Sequence, residues 1–196
     1  VQEKLIRDGD GFQVYELTFA SPVMGRVPAF LVMPEGKGPF AAVLFGHWGG
    51  GTKSEFLPEA VLYARAGAAS LMIDYPWVRP AEWRRNVPNP PKPEQDLDTF
   101  KQAVIDLRRG LDVLLARPGV DGKRVAYVGH SYGAQWGAIL SAIEPRIKAF
   151  ALVGGVGQTS DIWLDSNEPA LVEARKQMPP GMLDKYVATL SVLDAV

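Results

Sequence analysis

Cysteine is absent from the 196-residue chain. Its absence excludes disulfides, thiolate metal sites and a cysteine nucleophile in one step. Histidine is scarce: His47 and His130 are the only two, so none follows position 130. No apolar run is long enough to span a bilayer. A secretory leader is not visible either, because Val1-Gln2-Glu3-Lys4 opens onto a polar stretch. Neither sign of charge dominates, with 21 Lys plus Arg against 22 Asp plus Glu. That balance gives no electrostatic reason to expect nucleic acid or an anionic membrane as partner. Repeats, low-complexity tracts and charge blocks are missing as well. What remains reads as one globular domain over 1–196, expected to be cytoplasmic.

Short apolar runs divide the chain. Phe12 to Phe19 alternates apolar and polar residues, as an outer antiparallel strand does. Val27 to Met33 follows the turn signals Ser21-Pro22 and Gly25, so the two predict a hairpin. Phe40 to Phe45 and Ala68 to Ile73 are continuous apolar runs, the pattern of strands covered on both faces. Between them Ser54 to Ala66 predicts a helix, with Ser54 as N-cap and Gly67 as stop. Asp96 to Ala116 is the strongest helix, since Leu97, Phe100, Val104, Leu107, Leu111 and Leu114 form one apolar stripe. Arg124 to Val128 predicts a strand, Tyr132 to Ile143 a helix, and Ile147 to Val153 another strand. Leu171 to Gln177 and Leu183 to Leu193 are expected to be helical.

Strand–helix alternation after two N-terminal strands means α/β architecture: a mostly parallel sheet flanked by helices on both faces. Ligands in such sheets bind at the carboxyl ends of strands. Residues 75–94 follow a strand directly. Six prolines between Tyr75 and Pro93 argue against regular structure there, so this Pro/Trp-rich stretch is expected to be an active-site loop.

Gly129-His130-Ser131-Tyr132-Gly133 is a G-x-S-x-G pattern. Two glycines and a serine coincide often, so context decides. Here the pattern follows the apolar strand Val125-Ala126-Tyr127-Val128 and opens a helix, the setting in which a nucleophilic serine sits on a sharp strand-to-helix turn. Ser131 Oγ would then project at a helix N-terminus, where backbone N–H groups favour developing negative charge. Gly46-His47-Trp48-Gly49-Gly50-Gly51 follows another strand. A glycine-rich loop there can turn a backbone N–H toward a substrate carbonyl, with the Tyr132 N–H as the second half of an oxyanion hole. A phosphate-binding P-loop is disfavoured, because Thr52-Lys53-Ser54 has the wrong order.

These motifs in this order resemble the α/β-hydrolase superfamily, and more narrowly its dienelactone hydrolase and acetyl-xylan-esterase-like branch. Val27-Pro28-Ala29-Phe30-Leu31-Val32-Met33-Pro34 and Val120-Asp121-Gly122-Lys123-Arg124-Val125 carry the narrower likeness. The resemblance implies Ser131 as nucleophile of a serine ester hydrolase acting through an acyl-enzyme on a small or medium ester. It implies the amides of Tyr132 and of Trp48 or Gly49 as oxyanion donors, and it implies no metal and no organic cofactor. Trp77, Trp83 and Trp136, with Trp48 and Tyr132, are candidate pocket walls or ordinary core.

The pattern is also broken. In this fold the acid and then the histidine follow the serine along the chain. The chain stops at Val196 with no later histidine, so the expectation is a hydrolase domain without its last strands. Three explanations stand: a fragment whose C-terminal part is a separate chain, was cleaved or was never included; a short enzyme using His47 or a partner subunit; or a catalytically inactive binding module. His47, at the mouth of the glycine loop, is the candidate base. His130 is expected to point away from Oγ and to pack or hydrogen-bond beneath the turn. Asp161 and Asp165 are either the carboxylate of the triad or ordinary loop and N-cap residues. Finally, Ile147 to Val153 would become a bare apolar sheet edge. Self-association through it, or cover by residues 160–196, is expected.

Overall fold

The computed structural model describes residues 1–87 and 91–194. Seven strands form one sheet: β1 (Gln2–Gly9), β2 (Phe12–Ala20), β3 (Arg26–Pro34), β4 (Phe40–Gly46), β5 (Ala68–Ile73), β6 (Val120–His130) and β7 (Ala149–Val153). Their order is β1-β2-β3-β5-β4-β6-β7. The hairpin is present, with Phe12 opposite Pro34 and Phe19 opposite Val27. Antiparallel pairing continues from β3 to β5, and β5, β4, β6 and β7 then run parallel. The sheet is therefore mixed, and parallel where strands alternate with helices.

The first strand was not legible in sequence. Gln2-Glu3-Lys4-Leu5-Ile6-Arg7-Asp8-Gly9 is exposed along nearly its whole length, so burial imposes no period on it. It exists by hydrogen-bonding to the outer edge of β2. Polar character in both directions suits an edge that must not recruit other chains.

Helices cover both faces. On one side α1 (Leu57–Arg65) brings Ala60 and Ala64 against Phe12, Val14, Val32, Val43, Phe45 and Met72. On the other, α2 (Pro93–Leu115) and α3 (Tyr132–Ile143) bury Phe100, Leu107, Leu111, Trp136 and Leu140 against Leu31, Leu44, Leu71 and Tyr127. The N-cap expectation at Ser54 is not met. Residues 53–56 form turns, Phe56 holds the cap position, and Leu57 and Pro58 open the helix. Helix α2 starts three residues before the predicted Asp96, because Pro93 at the first position supplies a preset φ and needs no N–H partner. Strand β6 likewise begins before the predicted Arg124, at Val120, and runs past Val128 to His130.

Three short helices follow β7: α4 (Thr159–Asp165), α5 (Pro169–Gln177) and α6 (Met182–Leu190), ending in a 3-10 turn at Ser191–Leu193. Tyr186 and Leu190 of α6 are buried in the main core beside α2. These helices do not shield β7. Leu152 and Val153 stay 43% and 58% exposed, so cover by the C-terminal residues is corrected and β7 is an open edge. Among the described residues no helix is long and apolar enough to cross a membrane.

The proline-rich segment after β5 is docked rather than loose. A 3-10 turn at Ala81–Trp83 is its one regular element; Pro88, Asn89 and Pro90 lie outside the described residues. Arg79 and Asp106 are both fully buried, and Arg79 Nη2 donates to Asp106 Oδ2 at 2.6 Å. Ser21 Oγ donates to the other oxygen of Asp106, also at 2.6 Å. Gln102 Nε2 donates to Ser21 Oγ and to the Met24 carbonyl, while Arg85 Nη1 donates to Gln102 Oε1. Asp106 and Gln102 thus form a buried polar seam on a helix that also buries Asp96 and Thr99. Sequence periodicity does not reveal it, because its partners come from two distant loops.

Candidate active site

The carboxyl ends of β4, β6 and β7 converge on one spot. Ser131 follows β6 and adopts φ 53° and ψ −113°, the only positive φ of a non-glycine residue among those described. Such a conformation costs on the order of 1–3 kcal/mol and persists only where its surroundings enforce it. Here they do. Ser131 N–H donates to the Val153 carbonyl at 2.8 Å, tying the turn to β7. Gly133 N–H donates to the His47 carbonyl at 3.0 Å, tying it to the loop after β4. The Tyr127 hydroxyl donates to the Gly133 carbonyl at 2.7 Å from beneath. The turn is packed too closely for side chains: a Cβ on Gly133 would lie 2.0 Å from the Gly46 carbonyl oxygen. This is why the motif needs glycine at that position.

The loop after β4 is equally fixed. The Trp48 carbonyl accepts from His47 Nδ1 at 2.6 Å and from the Gly51 N–H at 3.0 Å. The Gly49 carbonyl accepts from Trp77 Nε1 at 2.7 Å. A trans peptide sets its N–H opposite its carbonyl. With the Trp48 carbonyl held by His47 and Gly51, the Gly49 N–H is directed away from both. Neither the Gly49 N–H nor the Tyr132 N–H has a hydrogen-bond partner among the described residues. The Gly49 backbone lies against the Tyr132 ring, since a Cβ there would fall 2.7 Å from Tyr132 Cδ2.

Two sequence expectations are corrected at this loop. The Trp48 N–H is not an open donor, because Glu55 Oε2 accepts it at 3.2 Å. His47 is not placed as a base for Ser131. It is 3% exposed, its Nδ1 must carry the proton donated to the Trp48 carbonyl, and its Nε2 accepts the Tyr75 N–H at 3.3 Å. Burial holds the imidazole below its ordinary value, outweighing the Trp48 carbonyl and the Asp74 and Glu55 carboxylates that oppose it. His47 is therefore neutral, with both nitrogens committed to backbone. His130 is exposed rather than packed, and its Nδ1 lies 2.9 Å from Glu55 Oε1.

A cavity of about 230 Å³ opens beside Ser131. Tyr132, Gln135, Gly154, Gly155, Val156, Ile162, Trp163 and Leu171 line it. Of the residues expected at the site, Ser131 and Tyr132 border this space. Trp77 supports the glycine loop from behind, with its ring 5.9 Å from Tyr132 and 5.2 Å from Tyr75. Trp136 is not a wall: it is fully buried beneath the site, against Phe100 and Tyr132. Trp83 sits on the β2–β3 turn at Gly25, and Trp48, 48% exposed, stands over Gly50 and Gly51. Asp165 is exposed at the end of α4, and the side chain of Asp161 lies outside the described residues. Trp163, Ile162 and Gln135 were missed. Gln135 could have been found one helical turn after Ser131, and Trp163 by the rule that ligands meet strand carboxyl ends.

Behind Tyr132 lies a buried carboxyl. Asp96 is fully buried, its Oδ2 accepts the Tyr186 hydroxyl at 2.9 Å, and its Oδ1 has no hydrogen-bond partner among the described residues. Tyr186 in turn meets Trp163 edge-on at 4.7 Å, so this pair supports the cavity wall. Burial raises the Asp96 carboxyl from 3.8 to about 6, against the opposing Tyr186 hydroxyl and the Lys92 backbone. A group whose folded value is raised contributes stability that is fully present below the unfolded value and lost as pH rises through the folded one. The window is therefore pH 4 to about 7. Asp96→Asn is expected to match the parent at pH 4 and exceed it at pH 7.5 by on the order of 2 kcal/mol, read from urea unfolding at both values. Equal stability of the two proteins at pH 7.5 would contradict the buried-charge account.

Residues 7–194 match the model of the family described as esterase FrsA-like. The esterase FrsA of Salmonella typhi is 36% identical over 147 residues, covering 72% of this chain and 31% of the relative. The chain thus spans about a third of the length of the curated relatives it matches. Among solved structures, an acetyl xylan esterase from Paenibacillus sp. R4 superposes with a TM-score of 0.78 at 23% identity, covering 99% of this chain and 67% of that one. Acetyl xylan esterase 1 from Thermoanaerobacterium sp. JW/SL YS485 gives 0.77 at 17% identity, with the same coverage. At those identities the likeness speaks for the fold, and the fold is that of the α/β-hydrolases. On the match over 7–194, the chain belongs to the esterase FrsA-like family.

Proposed function

We propose that the chain carries the nucleophile and oxyanion hole of a serine ester hydrolase. The observation that carries this reading is the strained Ser131 backbone beside two amides, on Tyr132 and Gly49, that have no hydrogen-bond partner among the described residues. Backbone strain held by surrounding hydrogen bonds is a recurrent property of reacting residues. In this reading Ser131 Oγ attacks the ester carbonyl carbon, and the carbonyl oxygen becomes an oxyanion held by the two N–H groups. Collapse expels the alcohol and leaves the acyl group on Ser131. Water then attacks the acyl-enzyme and releases the acid. The cavity is smaller than the roughly 300–1,000 Å³ common for drug-sized ligands, which favours a small or medium ester.

Attack needs an acceptor for the Oγ proton. Neither histidine of this chain supplies it, so the reading requires a base from elsewhere that reaches the open side of the cavity. A second copy or another chain pairing with the open β7 edge is the partner we propose for that edge. Commitment of both histidines also favours the second reading, a catalytically silent hydrolase-fold module that only binds ligand. The two part on one assay. Mixed with 4-nitrophenyl acetate, a serine hydrolase releases nitrophenolate and carries an acetyl group on Ser131 before acetate appears. Nitrophenolate release no faster than the buffer rate, in the protein as its own cells produce it, would favour the silent module.

A further inference from the structure

We infer that Glu55 is a positioning residue that locks the oxyanion loop to the nucleophile turn. The inference rests on the ester-hydrolase reading for its kinetic consequence, though not for its geometry. Glu55 lies in the turn before α1, where its own N–H donates to the Thr52 carbonyl. Its side chain is 18% exposed and reaches in two directions. Oε2 accepts the Trp48 N–H at 3.2 Å, and Oε1 faces His130 Nδ1 at 2.9 Å. A carboxylate only accepts, so His130 carries its proton on Nδ1. One carboxylate therefore joins the loop after β4 to the residue immediately before Ser131.

The loop is shaped around this carboxylate. A Cβ on Gly51 would lie 2.2 Å from Glu55 Oε2, so only glycine leaves room for the approach. The consequence falls on the choice of amide. Two successive peptide planes are fixed: His47–Trp48 by Glu55 and by the Gly133 N–H on the His47 carbonyl, and Trp48–Gly49 by His47 and the Gly51 N–H. With the first plane held, the Trp48 N–H faces Glu55, and the next donor along the loop, the Gly49 N–H, has no hydrogen-bond partner among the described residues; the Gly50 N–H has none there either. Removing Glu55 leaves the first plane tied only through the His47 carbonyl, and the Gly49 donor is then less firmly aimed. Preorganised donors act because they need no reorganisation as charge develops, so a loosened donor lowers kcat more than it raises KM.

Two variants separate this role from general support. Glu55→Ala removes both contacts. Glu55→Gln keeps an amide oxygen for the Trp48 N–H and offers an N–H to His130, whose ring can present a bare nitrogen as the other tautomer. With 4-nitrophenyl acetate, Glu55→Ala is expected to lower kcat about 10-fold with KM within about 2-fold, and Glu55→Gln to recover most of it. The second readout needs no activity. Hydrogen exchange at the Trp48 amide is expected to accelerate at least about 10-fold in Glu55→Ala and little in Glu55→Gln. Unchanged Trp48 exchange in Glu55→Ala overturns the clamp, whether or not the protein turns over esters. Faster exchange with kcat unchanged overturns its kinetic role. A parent protein inactive on the ester, with the exchange result intact, contradicts the hydrolase reading and leaves the clamp standing.

Discussion

Replacing Ser131 with alanine is expected to lower ester turnover by about 10³-fold or more, to the level the oxyanion donors and binding alone sustain. The size follows from the mechanism: without Oγ no acyl-enzyme forms, and the amides of Tyr132 and Gly49 act only on attack by water. Stability should stay within about 0.5 kcal/mol of the parent. Ser131 holds φ 53° through backbone bonds to Val153 and to the Gln135 N–H, none of which uses its hydroxyl. Alanine inherits the strain without relieving it, and the fold persists. Turnover by Ser131→Ala within about 10-fold of the parent, at equal concentration, would remove Ser131 from the chemistry.

Asp106→Ala should be the most damaging change to stability, at about 3–5 kcal/mol. Arg79 would be left as a cation with no exposed surface, deprived of the carboxylate 2.6 Å from its Nη2. Its Nη1 is already buried without a partner among the described residues, and beyond the bond from Nε to the Asp74 carbonyl only the Asp74 carboxylate is left to oppose the burial of the charge. Burial pulls the Arg79 guanidinium down, and the Asp106 carboxylate is what opposes this most. Ser21 and Gln102 lose their acceptor network at the same time, and the docked 75–87 segment comes loose. Trp77 belongs to that segment and holds the Gly49 carbonyl, so the damage reaches the oxyanion loop. Denaturant unfolding measures the loss. A drop under about 1 kcal/mol would mean that water enters and solvates Arg79. Asp106→Asn separates charge from hydrogen bonding, since it keeps an acceptor for Arg79 but no negative charge.

Much of this fold was legible in the residues, for a physical reason. Strands β2 to β6 and helices α2 and α3 each bury a full face, and burial imprints a period on sequence. The nucleophile turn was legible because close packing of Gly133 on Gly46 forbids other residues there. What stayed hidden has no such imprint. Strand β1 buries almost nothing, and α4 is seven residues long. The Asp106–Arg79 seam pairs residues 27 apart through irregular backbone. Trp136 illustrates the same limit from the other side: aromatic content near a catalytic motif does not tell a pocket wall from the core below it, and this one is core. At His47 and Trp48 the residue types were the expected ones. Only the bonds to Tyr75 and Glu55 show that one is not placed as a base and the other not an open oxyanion donor.

The most direct test is a fluorophosphonate probe followed by intact mass measurement and peptide mapping, on the protein as its own cells produce it. An activated serine in an oxyanion hole forms a stable phosphonyl adduct, and the structure predicts a single adduct, on Ser131. No adduct, or an adduct on any other serine, would contradict the assignment of Ser131 as nucleophile.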